Sequence, residues 1–300
     1  MNKSSKTYGI FLACLAAIMF GLSAITAKLG QTYSGTGGIT TAFYRDLFVL
    51  PVLLVMLKVK GESLKLTKKQ LVLMMLVGLL CGGLTAMLLY VAYEYISVGL
   101  TMCLHFTYPM VSAVLCFALF KEKLSKIQIA SLVLALGGIW IMMFSGGEDF
   151  NMTGIIIALL SAMVYGSYLV LMGKSSVSDL SGFKIAFYNN LFGCMFLGIF
   201  GLMARQDFTT CHPKGWVWLF ITGVFVACIA NALTPEAVKL IGPTVTGVLG
   251  ILEPITSLVC SILLLNEAFT AKSLIGGIIV LAGAVLITIG TKNEPEKETE

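Results

Sequence analysis

The sequence predicts an all-α membrane protein of ten transmembrane helices, arranged as two inverted five-helix repeats with both termini cytoplasmic. Three observations predict it. Of 300 residues, 58% are hydrophobic and 12% are charged, whereas a soluble domain carries roughly 25% charged residues. The lysines and arginines lie in short links between apolar runs and fall mostly on one side of the alternation. The second half of the chain repeats the first at a nearly constant offset.

A bilayer core needs roughly 20 apolar residues per helix. Runs of that kind occur at 8–28, 38–57, 71–95, 98–120, 127–145, 154–173, 183–204, 215–237, 243–265 and 272–291. The first follows Lys3 and Lys6 as a signal peptide would. It continues to Lys28 with no small-residue cleavage site behind it, so it is expected to stay as the first helix. The third and fourth runs are divided only by a short link around Ser97. With the N-terminus inside, fifteen of the twenty Lys and Arg residues fall inside. Lys28, Arg205, Lys214 and Lys272 fall outside, and Arg45 lies within a helix. That bias sets the orientation and favours an even number of helices. The charged tail 292–300 has no apolar periodicity and is expected to be disordered.

The repeat is the most informative signal. Gly9, Ala13, Ala17, Phe20 and Gly21 recur as Gly154, Ala158, Ala162, Tyr165 and Gly166, each 145 positions later. Phe43-Tyr44-Arg45-Asp46-Leu47-Phe48 recurs as Phe187-Tyr188-Asn189-Asn190-Leu191-Phe192 at an offset of 144. Pro109, Glu122 and Gly138 pair with Pro254, Glu267 and Gly283. A constant offset over several segments means duplication. The expected units are 1–146 and 147–291. Five helices per unit is an odd number, so the second unit enters the membrane from the opposite side. Inverted repeats of this kind can rock about a central site.

Composition excludes other classes. The net charge of +5 comes from loop lysines, not from a basic face, so no nucleic-acid partner is indicated. The eight cysteines contain no C-x-x-C pair, so neither a metal site nor a redox motif is expected. No phosphate-binding loop occurs, and no cofactor is implied. An enzyme acting on lipid would need clustered catalytic groups near one interface, and the two histidines, His105 and His212, do not supply them.

The late stretch of each half carries a family resemblance. It reads TYPMVSAVLCFALFKEKLS from Thr107, followed by Gly137-Gly138. In the second half it reads LEPITSLVCSILLLNEAFT from Leu252, followed by Gly276-Gly277 and Gly283. Proline, a long apolar run, an acidic residue and a Gly-rich last helix resemble the paired modules of EamA-type transporters in the drug/metabolite transporter superfamily. The resemblance implies ten helices, inverted halves, a central cavity, and export or exchange of small metabolites, amino acids among them. It points to a multi-pass protein of a bacterial cytoplasmic membrane and to no single substrate. A choline-like cation importer of the same fold and a membrane scaffold without transport stand as alternatives. Protons are the expected coupling ion, and a monomer and a homodimer are both compatible.

Candidate site residues follow from polarity at helix centres. A mid-bilayer carboxylate costs roughly 2.5–3.5 kcal/mol on insertion scales, so Glu253 reads as a proton carrier, a counter-ion for a cationic group, or a structural carboxylate beside Pro254. Helical spacing places Thr246, Gly250, Glu253 and Ser257 on one face. The offset maps the last three onto His105, Tyr108 and Ser112. His105 can titrate near neutral pH or serve as a packing residue. Pro109 and Pro254 are expected to kink their helices near mid-span. Arg45 reads as a gate, a structural cation or an anion contact, with Asp46 pointing elsewhere on the helix. Tyr90, Tyr165 and Tyr168 could face a cavity, and Tyr93 and Glu94 could be interfacial anchors. Asn231 is deep enough to hydrogen-bond in a cavity, and Ser23 is the small counterpart of Tyr168.

Overall fold

The computed structural model describes residues 3–121, 125–143, 151–173, 175, 177, 180–209 and 212–290. The expected tail 292–300 lies outside them. All regular structure among these residues is helical. In chain order the helices are α1 (Lys3–Ser34), α2 (Gly38–Val59), α3 (Lys68–Val77), α4 (Ala86–Ala92), α5 (Val98–His105), α6 (Tyr108–Phe120), α7 (Lys126–Met143), α8 (Met152–Gly173), α9 (Gly182–Met203), α10 (Pro213–Phe220), α11 (Cys228–Leu249), α12 (Leu252–Leu265) and α13 (Ala271–Gly290). A π-helical stretch, Gly78–Thr85, joins α3 to α4, and another, Ile221–Ala227, joins α10 to α11. Among the described residues, six helical stretches are long and apolar enough to cross a membrane. The side chains of Leu119, Val133, Leu136 and Trp140 are 65–67% exposed on the outside of the bundle. Apolar side chains turned outward in this way suit lipid as the solvent.

Two boundaries differ from the sequence reading. The run 98–120 is broken between α5 and α6. The runs 215–237 and 243–265 are divided differently, because α11 carries helix through 238–242 and the break comes at Gly250 and Ile251. The Gly242-Pro243 pair signals a boundary only as a bias, since the φ that proline imposes is itself helical.

The duplication seen in sequence is also a duplication of contacts. A methyl group added at Gly9 would meet Leu240 and Ile241, and one at Gly154 would meet Tyr95 and Ile96. One at Gly78 would meet Phe192 and the Asn189 carbonyl, and one at Gly223 would meet Phe48 and the Arg45 carbonyl. Gly138 lies against the Gly276 carbonyl and Val280, while Gly283 lies against the Ser131 carbonyl and Ala135. In each pair the partner also shifts by 144 or 145 positions and changes half. If residue i touches j′ and i′ touches j, the halves are related by a twofold axis. Helix ends obey the same relation. Lys121 closes α6 and Asn266 closes α12, both in the left-handed region, at φ 56° and 54°.

Close backbone approach of this kind is how membrane helices associate without a hydrophobic driving force. Adjacent glycines on α7 separate the effect from helix propensity. A methyl at Gly138 would come within 2.7 Å of a backbone oxygen, whereas nothing lies within 4 Å of one at Gly137. We expect Gly138→Ala to destabilise by about 1–3 kcal/mol through overpacking. Gly137→Ala should be neutral, or stabilising by up to about 1 kcal/mol. Thermal unfolding in detergent checks both, and equal effects at the two positions would contradict the packing account.

Candidate functional site

The two helix breaks meet near the centre, and each is held by the same clasp. The first break follows His105, the last residue of α5, and Tyr108 opens α6. The second precedes Leu252, and Glu253 lies in the first turn of α12. The Ser257 hydroxyl lies 3.1 Å from both the Glu253 carbonyl and the Gly21 carbonyl of α1. The Ser112 hydroxyl lies 3.0 Å from the Tyr108 carbonyl and 3.1 Å from the Gly166 carbonyl of α8. Gly21 packs on the Glu253 carbonyl, and Gly166 on the Tyr108 carbonyl. All these positions correspond under the offset of 145. Ser257 is buried and binds helix to helix, so it staples the break and does not line a cavity.

The prolines take a different part from the one expected. Neither kinks a continuous helix. Pro109 sits in the first turn of α6 and Pro254 in the first turn of α12, each just after a break. A first-turn proline removes only a donor that the helix could not have satisfied. The two breaks therefore present helix termini at the centre. The Glu253 carboxylate benefits from the partial positive charge of its own helix N-terminus. It is half-buried, and no hydrogen bond or ion pair reaches it among the described residues. It lies within electrostatic range of Tyr93, Tyr108 and Tyr165.

His105 is buried, and its Nδ1 lies 2.9 Å from the Ser161 hydroxyl of α8. That hydroxyl donates to the Ala158 carbonyl at 2.6 Å. Its single proton is thereby committed, so Ser161 accepts and His105 Nδ1 carries hydrogen. The other ring nitrogen, Nε2, then offers a lone pair. The His105 ring centroid is 5.6 Å from that of Tyr108 and 5.3 Å from that of Tyr165. Tyr165 meets Tyr108 edge to face at 4.7 Å and Tyr168 at 5.2 Å. Five residues of the polar set thus come together from three helices.

Arg45 belongs to an adjoining group. Its Nε and Nη2 both donate to Asp46 Oδ1, at 2.9 and 2.6 Å. Nη1 is 3.4 Å from the Tyr90 hydroxyl, and the guanidinium lies 5.7 Å from the centre of that ring. The expectation that Asp46 points elsewhere is therefore corrected. Neighbouring residues on a helix diverge at Cβ, but the long arginine side chain folds back along α2 to reach its neighbour. The sequence reading missed Cys81, and it noted Asn189 only as the uncharged counterpart of Arg45. Cys81, in the first π-helical stretch, lies beside Asn189 and Tyr168, and Asn189 Oδ1 accepts the Gly82 amide at 3.1 Å. Tyr168, packed against Tyr165, links this group to the tyrosine group. A usable signal was present in the exchange of Arg45-Asp46 for Asn189-Asn190.

Other candidates lie apart. Ser23 is buried on α1 and Asn231 is half-buried on α11. No side-chain hydrogen bond joins either to the cluster among the described residues. Tyr93 is 1% exposed and packs in the core, so it is not an interfacial anchor. Glu94 Oε1 accepts the Gly38 amide at 2.5 Å and so caps α2. Glu267, between α12 and α13, accepts from the Val98 amide at 3.0 Å. Burial pushes its carboxyl above its ordinary value, against the pull of that bond. Lys28 donates to the Tyr93 carbonyl and lies within range of both glutamates.

With the geometry described, comparison with known proteins is informative. The sequence pattern of the EamA-like transporter family matches twice, at residues 7–144 and 152–289. The uncharacterized transporter YetK of Bacillus subtilis is 25% identical over 196 residues, covering 63% of this chain and 59% of that one. This chain therefore spans less than two thirds of YetK. An uncharacterized transporter of Clostridium kluyveri is 24% identical over 247 residues, covering 80% and 78%. A solved crystal structure superposes with a TM-score of 0.66 over 95% of this chain and 98% of that one. At 15% identity it shares the fold alone. The two matched halves, the reciprocal contacts between them and the membrane-length helices agree, and the chain belongs to the EamA-like transporter family as a multi-pass membrane protein.

Proposed function

We propose that this protein is a secondary transporter that carries a small amine-bearing metabolite across the cytoplasmic membrane, as an exporter or exchanger. The single observation that supports this reading most is the Glu253 carboxylate. It stands at a helix break near the twofold axis, half-buried, with no partner among the described residues. Arg45 and Asp46 neutralise one another, so an ionised Glu253 gives the central polar region one net negative charge. A cationic group on the solute supplies the missing partner. The π-helical stretches at corresponding places in the two halves add to the case, since such bulges recur at functional sites.

In this reading the solute binds between the halves, with its amine at Glu253 and its remainder against Tyr108 and Tyr165. The two inverted units then rock about the clasped breaks and expose the solute to one side or the other. Glu253 can also carry a proton when no solute is bound, which couples the two movements. His105 donates from Nδ1 to Ser161 and can accept a solute donor at Nε2. A choline-like cation fits the same groups, because the faces of Tyr108, Tyr165 and Tyr168 suit a quaternary amine. A scaffold protein has no need of an unpaired charge at its centre.

Two variants test this reading. Hydrogen bonds to charged groups contribute about 1.5–3 kcal/mol, so Glu253→Gln should lower amine uptake into proteoliposomes by roughly ten- to a hundred-fold. Uptake by the variant equal to wild type over the whole pH range would remove Glu253 from the mechanism. Ser161→Ala removes the acceptor of the His105 proton, and intramembrane hydrogen bonds average about 0.6 kcal/mol. We therefore expect a small loss in thermal stability. Nitrogen-15 NMR of the two histidines should show His105 protonated at Nδ1 in the wild type only, and an unchanged spectrum in the variant would contradict the assigned tautomer.

A further inference from the structure

The Arg45–Asp46 pair is not demanded by the scaffold. At the twofold-related place α9 has Asn189 and Asn190, and it packs there without charge. Asn190 is buried and donates back to the Ala186 carbonyl at 2.7 Å, and Asn189 accepts the Gly82 amide. A buried ion pair generally stabilises a fold no better than neutral groups of similar size. The presence of a charged pair in one half alone therefore calls for a reason other than packing.

The pair is lopsided in a way that suggests one. Both arginine bonds fall on Asp46 Oδ1. Oδ2 is buried and has no hydrogen-bond partner among the described residues. It lies where α2, α9 and the first π-helical stretch meet, so that a methyl added at Gly193 would sit 2.7 Å from it. Asp46 is wholly buried, while the Arg45 side chain keeps 21% of its surface open. The guanidinium is thus the more open partner, and the carboxylate lies behind it. The Nη1 contact to Tyr90 is long at 3.4 Å, so the outward side of the cation is weakly held. The other titratable groups facing Asp46 are Cys81 from the π-helical stretch and Cys194 from α9. Tyr90 and Tyr168 stand one contact further out, on Arg45 and Cys81. None of these four is a cation that could replace Arg45 as partner.

We propose that Asp46 is an exchangeable counter-ion, which yields Arg45 to an acidic group of the transported solute and takes a proton on Oδ2 as it does so. This deepens the proposed function and rests on it, by assigning the solute an acidic group opposite the amine held at Glu253. Arg45 remains protonated throughout and exchanges the Asp46 oxygen for an oxygen of the incoming carboxylate. Asp46, left without a cation, accepts one proton from water on whichever side is open and becomes a neutral carboxylic acid. One anion and one proton enter together, so the net charge of the region does not change. Binding of the acidic group and uptake of a proton are then a single linked event.

Acetate is the smallest probe of the exchange. Carbon-13-labelled acetate is added in excess to the full-length protein in lipid nanodiscs near neutral pH, with chloride as control, and infrared difference spectra are recorded. The labelled probe has shifted bands of its own, so an unshifted carbonyl stretch of a protonated carboxyl belongs to the protein. We expect that stretch to appear with acetate and not with chloride. It should be lost in Asp46→Asn and in Arg45→Gln, and kept in Glu253→Gln. The double variant Arg45→Asn with Asp46→Asn copies the pair found on α9. It provides a packing-compatible test should a single variant fold poorly, and it too should lack the band. No band in the wild type, a band that survives removal of Asp46, or one abolished by Glu253→Gln would each overturn the proposal. The readout is binding, not transport. A protein that shows the band but moves no solute loses the transporter reading alone, and one that transports without the band loses this inference alone.

Discussion

The centre of the molecule depends on one contact made twice. A glycine on α1 or α8 brings its backbone against the first turn of α12 or α6, and a serine one turn further on hydrogen-bonds across the seam. Gly21 with Ser257 fixes Glu253, and Gly166 with Ser112 fixes Tyr108. In hydrocarbon every backbone polar group must find a partner within the protein. A break in a spanning helix is tolerated only where a neighbour supplies such partners. The clasp does so, and it thereby permits two helix termini to be buried where a substrate could reach them.

From that constraint the division of labour between scaffold and site follows. The residues that make the clasps obey the offset of 145, because both copies must close the same gap. The residues presented by the clasps do not obey it: Glu253 stands where the first half has Tyr108, and His105 where the second has Gly250. The same holds at the crossing of α2 with the π-helical stretch, where Arg45 and Asp46 replace two asparagines. A twofold scaffold without these departures would have two equal binding surfaces. With them it has a carboxylate at a helix break, a buried ion pair and a group of packed tyrosines.

Much of this was legible in the sequence, and the part that was not has physical reasons. The two-unit organisation and the polar set Glu253, His105, Tyr108, Tyr165 and Tyr168 follow from a constant offset and from polarity inside apolar runs. Those signals survive because lipid penalises exceptions strongly. The helix breaks at 106–107 and 250–251 were hidden. Pro109 and Pro254 announce a disturbed helix, but proline is as comfortable just after a break as at a kink, so the position of the fault was misplaced by a turn. The Arg45–Asp46 bond was missed because helical spacing describes where Cβ atoms point, and an arginine can reach well beyond its own Cβ direction. Cys81 gives no signal, because a cysteine in an apolar run usually packs as a small hydrophobe. Only the π-helical stretch, a backbone feature without a sequence signature, turns it towards Asn189 and Tyr168. Ser23 and Asn231 met the same polarity criterion, but no hydrogen bond or ring contact among the described residues ties them to the tyrosines or to His105.

The account rests on the break at Tyr108 facing a space that opens to the two sides of the membrane in turn. The most direct measurement replaces Tyr108 with cysteine, with the native cysteines removed, and treats membrane vesicles of both orientations with a membrane-impermeant thiol reagent. Tyr108 serves better than its twofold mate because the Glu253 carboxylate stays in place. The account predicts modification from either side, with the balance between sides shifted by an amine solute. Modification from neither side, or from one side only and unaffected by any solute, would contradict it.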